Sequence, residues 1–271
     1  MSATAVSAKG TPMRRHAMPS WFQGFCGLIG LVVLLELLPR TGVVPPAYLP
    51  PFSEMARALT DQLSTPTFWS ALVQTLKSWA LGLGIAVTAG VVLGIIVGSV
   101  GILRAATSST IEFLRPIPSV ALIPLAVLLF GTDMRSTLLL VVYASFWQVL
   151  VQVLYGVQDV DPVAVDTARS YGLGPVSRVR HVTWPTALPY VMTGVRLAAT
   201  VALVLAITGE FVIGSPGLGK EIGLARSAGA VAPMYALVIV TGMLGVGVNV
   251  LARLIERRVL AWHPSIRLEA L

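Results

Sequence analysis

Two ionisable side chains, Arg196 and Glu210, stand inside one long apolar run at about 187–213. In hydrocarbon such groups are costly, so they usually face a bundle interior or an aqueous path and serve gating, ion coupling or solute contact. Fourteen positions separate them, about 21 Å along a helix and on nearly the same face. Both are therefore candidates for a translocation route or its gate. The simpler readings are that Arg196 snorkels to the headgroups and that Glu210 makes a structural contact at its helix end. Lys77 and Glu36 lie near the ends of other apolar runs and need only headgroup or loop contacts.

Little else in the chain has the pattern of catalysis. His16, His181 and His263 fall outside the apolar runs, with no metal-ligand spacing between any two. There is no Gly-x-Ser-x-Gly elbow, no close aspartate pair within a run and no phosphate-binding P-loop, so the chain is not expected to hydrolyse ATP or hold a cofactor or metal. Gly82-Leu83-Gly84 is a fragment of a dinucleotide fingerprint inside an apolar helix and reads as packing. An ion-coupled secondary transporter is the alternative that Glu210 keeps open, although no inverted repeat is visible.

Composition sets the frame. The chain is 55% hydrophobic and 11% charged, with a mean hydropathy of +0.82, far from a soluble domain. The net charge of +7 is scattered among apolar runs and forms no nucleic-acid-binding stripe; in a membrane protein a basic excess is mainly a topology signal. Cys26 is a lone cysteine in an apolar run and reads as packing.

Runs of about twenty apolar residues can cross a bilayer as helices, because a helix satisfies its own backbone. Six are expected, at about 21–38, 68–100, 111–130, 137–157, 187–213 and 233–254. Together they make one permease domain over 21–256 between an N-terminal tail, 1–20, and a C-terminal tail, 257–271. A Pro-rich interval follows the first run; within it, 53–63 predicts a short surface helix capped by Ser53. The second run starts amphipathic, with Trp69, Leu72, Leu76 and Trp79 on one face. It then carries Gly82, Ala86, Gly90, Gly94 and Gly98 at four-residue intervals, a stripe that lets membrane helices approach closely. Pro116, Pro118 and Pro124 should kink or break the start of the third span.

The longest polar interval, 161–189, which overlaps the loop drawn between spans at 158–186, has the build of a docking element. Asp161 before Pro162 predicts a helix N-cap with proline in the first turn, and Gly172 a left-handed stop. Ala164, Val165, Ala168 and Tyr171 recur at helical spacing as an apolar face beside Asp166 and Arg169. Pro175 opens a second short helix carrying Arg178, Arg180 and His181, with Trp184-Pro185 as its end.

This interval resembles the cytoplasmic "EAA" loop of ATP-binding-cassette importer permeases, Glu-Ala-Ala, three residues, Gly, nine residues, then Ile-x-Leu-Pro. Here Asp166-Thr167-Ala168 is followed at the same spacing by Gly172 and by Val182-Thr183-Trp184-Pro185. Arg115-Pro116-Ile117-Pro118, Ala121-Leu122-Ile123-Pro124-Leu125 and Phe130-Gly131 are similar to text of the sulfonate, taurine, nitrate and thiamine-precursor group. Glu210 followed by Gly217-Leu218-Gly219 resembles a pattern of the same group.

The resemblance implies an all-α membrane protein of six transmembrane helices with the type I (MetI-like) permease architecture and a cytoplasmic coupling helix. It implies pairing with a second permease copy, two ATPase subunits that hold the ATP and Mg, and a solute-binding protein on the other side. Asp166, Thr167, Ala168, Gly172, Val182 and Pro185 are its coupling residues: Asp166 as polar anchor, Ala168 for close approach, Gly172 for the turn. The spans are expected in the lipid of a cell inner membrane, and the count of Lys and Arg near their ends places the loop and both termini on its cytoplasmic side.

Overall fold

The computed structural model describes residues 20–262; His16, His263 and the greater part of both tails lie outside them. The described residues are helical, without strands. They fall into two units, Met1–Glu54 and Met55–Leu271.

In the first unit, α1 (Ser20–Arg40) is a single apolar helix. Its Glu36 carboxylate accepts hydrogen bonds from the Ser53 backbone N (2.9 Å) and from Ser53 Oγ (3.0 Å), and pairs with Arg40. Ser53 is therefore not the cap expected from the sequence. An acid contributed by α1 takes the free N–H at the start of α2 (Phe52–Leu63), where negative charge is favoured.

The second unit is built on α3 (Pro66–Ser99), whose N-cap Thr65 accepts from Phe68 N. One buried stripe runs the length of α3: Phe68, Ala71, Thr75, Ser78, Gly82, Ala86, Gly90, Gly94 and Gly98. From Gly82 onward it lies on α6 (Met134–Gln158). A Cβ added at Gly82 would strike Val141, at Gly90 Val149, at Gly94 Val153 and at Gly98 Val157. The partners advance together, so α3 and α6 run in the same direction with their backbones nearly touching. By contrast Trp69, Leu72, Leu76 and Trp79 line an apolar groove of about 430 Å³ shared with Met243, Leu244, Gly247 and Val248.

Parallel α3 and α6 require the chain between them to cross back. It does so in a broken form: α4 (Gly101–Leu114), a non-helical bend, a 3-10 turn Ser119–Leu122 and α5 (Ile123–Phe130), bent by 82°. The expected single span at 111–130 is thus corrected. Helix begins ten residues earlier, and Pro116 and Pro118, which cannot donate to the turn before them, interrupt it.

α6 leads into α7 (Pro162–Ser170) and α8 (Pro175–Arg178). A π turn, Val179–Thr183, then runs straight into α9 (Trp184–Ile213). Trp184-Pro185 is consequently not a stop, and the fifth span starts before residue 187. The wider π turn makes room for the Pro185 ring against the carbonyl one turn back, so the helix continues unbroken over Pro175–Ile213, 39 residues. Gly156 meets Ala187 and Gly194 meets Val149, so α9 runs antiparallel to α6. α10 (Leu218–Ser227) and α11 (Val231–Val259) complete the chain.

Helices α1, α3, α6, the α8–α9 rod and α11 are each long and apolar enough to cross a membrane. The bent α4–α5 pair makes a sixth when its two halves are counted as one broken span.

Candidate functional site

Three groups of residues carry the chemistry expected from the sequence, and the fold distributes them to different places. Loop 158–186 lies at the end of the bundle where α6 finishes and α9 begins. Because α11 runs antiparallel to α9, its C-terminal end, with Arg253, Arg257 and Arg258, shares that side.

Asp161 caps α7, accepting from Val163 N at 2.8 Å, with Pro162 in the first turn. Gly172 ends it at φ +75°, and the N–H of Leu173 returns to the Ala168 carbonyl at 3.0 Å, a Schellman closure. Nothing lies within 4 Å of a Cβ placed on Gly172, so its constraint is backbone conformation alone.

The apolar face assigned to this helix divides in two. Ala168 is buried and Val165 half-buried, both turned inward where α7 touches α8 and the π turn. Ala164 and Tyr171 point outward, beside Val163 and Thr167. Val163, Thr167 and Tyr171 therefore form an exposed stripe at i, i+4 and i+8, with Val163 70% and Tyr171 81% exposed; Val176 on α8 is 82% exposed. Ala168 does not lie on that stripe, and Asp166 pairs with Arg169 at 2.9 Å on the surface. Val182 and Pro185 are half-buried in the passage into α9.

Arg196 pairs with Glu256 of α11 (3.5 Å) and borders a cavity of about 60 Å³ that Trp79, Met192 and Val248 also line. Trp79 Nε1 donates to the Ala199 carbonyl one turn away (2.9 Å).

Glu210, by contrast, is completely buried. Its Oε2 accepts from Thr75 Oγ1 of α3 (2.7 Å) and from Gly219 N of α10 (3.1 Å), and Thr75 Oγ1 in turn accepts from Leu218 N (2.9 Å). The two free amides that open α10 are thus taken by α3 and α9 side chains. Gly217, at φ +155°, brings its Cα against the carboxylate so closely that a Cβ would overlap it. Thr137 and Ser215 share a 2.6 Å hydrogen bond that pins the same turn to α6. Arg196 therefore sits in an interhelical ion pair, and Glu210 is sealed within a turn. Sequence reasoning placed Glu210 but not Thr75, whose only signal is its place on the small-residue stripe. Among the described residues, no three His, Cys, Asp or Glu side chains group as metal ligands would.

Comparisons with known proteins agree with this architecture. The sequence pattern of the family described as binding-protein-dependent transport system inner membrane component matches residues 90–261. The putative aliphatic sulfonates transport permease protein SsuC of Escherichia coli (strain K12) is 33% identical over 161 residues, 59% of this chain and 61% of that protein. The taurine transport system permease protein TauC of the same organism is 28% identical over 230 residues, 83% of this chain and 84% of that one. Among solved structures, an inward facing MetNI methionine ABC transporter chain superposes with a TM-score of 0.61 at 18% identity, over 72% of this chain and 99% of that chain, a likeness of fold.

Proposed function

Because the chain belongs to the family of binding-protein-dependent transport system inner membrane components, we propose that its 158–186 loop is the docking element for an ATPase subunit. The chain itself is a permease subunit that contributes a translocation pathway for a small solute. Such a subunit binds no nucleotide; ATP and Mg belong to the partner, and the permease converts the partner's motion into alternating access.

The observation that carries the docking reading is the exposed Val163, Thr167 and Tyr171 stripe on a capped helix of nine residues. An apolar helix face of this kind is laid into a groove of a partner protein. Arg104, Arg169, Arg178, Arg180, Arg253, Arg257 and Arg258 lie toward the α7 end of the bundle, and Arg57, Arg135, Lys220 and Arg226 toward the other. That excess supports a cytoplasmic α7 and a cytoplasmic C-terminus. The complex would hold two permease copies, two ATPase subunits and a solute-binding protein facing α10.

The proposed solutes are aliphatic sulfonates and taurine, the cargo in the names of the two relatives, with nitrate and thiamine-precursor-like molecules as further members of the class. Glu210 is sealed inside the fold, and no observation favours an ion-coupled transporter. The test is extraction of the tagged chain in mild detergent. An ATPase subunit should come with it and be lost when 161–172 is replaced by a flexible linker; a chain that purifies alone removes the reading.

A further inference from the structure

We propose that Glu210 is a positioning residue that latches α10 to the end of the α8–α9 rod, so that a displacement entering at α7 reaches the opposite face undiminished. The proposal rests on the docking reading above for the source of that displacement. Its geometry stands on the fold alone.

The helix Pro175–Ile213 is continuous over 39 residues, about 58 Å at the rise of an α-helix. One end adjoins α7, and Glu210 lies at the other. The chain between Ile213 and Leu218 is a turn containing two glycines, Gly214 and Gly217, which by itself would let α10 swing freely. Three things remove that freedom. The Glu210 carboxylate holds Gly219 N directly and Leu218 N through Thr75. Gly219 lies on the α9 backbone, where a Cβ would strike the Ile207 carbonyl. Leu218 and Ile222 are buried among Phe68, Ala71, Leu237 and Val240.

An apolar wedge alone would seat α10. The fold instead keeps a fully buried acid whose Oε1 has no hydrogen-bond partner, a costly arrangement. What the acid adds is direction: hydrogen bonds fix the register of α10 on α9, whereas apolar contacts permit sliding. Thr75 makes the same network span α3, so the three helices move as one body.

The test uses the complex of the full chain with its co-purified ATPase, with Cys26→Ser as background. Spin labels at Val212→Cys on α9 and Ser227→Cys on α10, both exposed, report their separation. With Thr75 intact the distance distribution should be narrow and the same with and without ATP and Mg. In Thr75→Val and in Glu210→Ala it should broaden and shift when ATP and Mg are added, and the amides of Leu218 and Gly219 should exchange at least about tenfold faster. Thr75→Ser should restore both readings. A distribution in Thr75→Val that is equally broad with and without nucleotide, or unchanged from the parent, overturns the latch while leaving the docking reading intact. If Glu210→Ala does not fold, Thr75→Val with its Thr75→Ser rescue decides alone. A parent chain that brings down no ATPase removes the docking reading, and with it the source of displacement.

Discussion

Gly94 of α3 lies so close to Val153 of α6 that a methyl group in its place would come within 2.6 Å of Val153 Cγ1. The relationship repeats at Gly82 and Val141, Gly90 and Val149, and Gly98 and Val157, all at the same sequence offset. A β-branched ridge on one helix thus fills a glycine groove on the other. In hydrocarbon, where apolar burial gives helices no preference for each other over lipid, this fit is what holds them together.

Gly94→Val should therefore lower the thermal midpoint in detergent, with an overpacking cost of about 1–3 kcal/mol. Val153→Ala should recover part of it, and the double variant should be more stable than the sum of the singles predicts. Strict additivity would mean that the two residues do not share one contact.

Gly172 depends on conformation, not on space. A left-handed backbone costs an ordinary L-residue about 1–2 kcal/mol, and asparagine tolerates it better. Gly172→Asn should retain α7, read by amide exchange over 161–173, whereas Gly172→Val should open it. Equal protection in the two variants would contradict the φ of +75°.

Gly217 meets both constraints at once. Gly217→Ala should destabilise by more than the roughly 1–3 kcal/mol of a strained backbone position, because its Cβ also displaces the Glu210 carboxylate. The thermal midpoint should fall further for Gly217→Ala than for Gly223→Ala, whose Cβ would meet nothing nearer than 3.7 Å.

The Arg196 and Glu256 pair is partly exposed, 39% and 22% at the side chains. Its coupling energy in a double-mutant cycle should therefore be about 0.2–1 kcal/mol, as for other solvated pairs. Exchanging the two, Arg196→Glu with Glu256→Arg, should restore most of the stability lost in either single variant. A coupling of several kcal/mol would show the pair to be desolvated.

What could be read from the sequence was what local rules govern. Asp161, Pro162 and Gly172 announce α7 because capping and proline act over a few residues. The stripe from Gly82 to Gly98 announces close packing because the period of the helix is fixed. Pairings across the chain were not legible. Glu210 meets Thr75 across 135 positions, and nothing in either stretch alone points to the other. Glu36 takes the N–H at the start of α2 in place of Ser53 for the same reason. At Trp184-Pro185 the local rule itself misled: proline ends an α-helix but is accommodated after a π turn. The sidedness of α7 was also hidden, since its apolar residues cover both of its faces and only the fold decides that Ala168 turns inward.

The docking claim is tested most directly by the amount of ATPase recovered with the chain when only the exposed stripe is changed. Val163→Asp with Tyr171→Ala should leave the thermal midpoint of the chain within about 0.5 kcal/mol equivalent of the parent, as exposed substitutions do, and remove most of the co-purified ATPase activity. Full recovery of ATPase with that variant would contradict the assignment of α7 as the docking element.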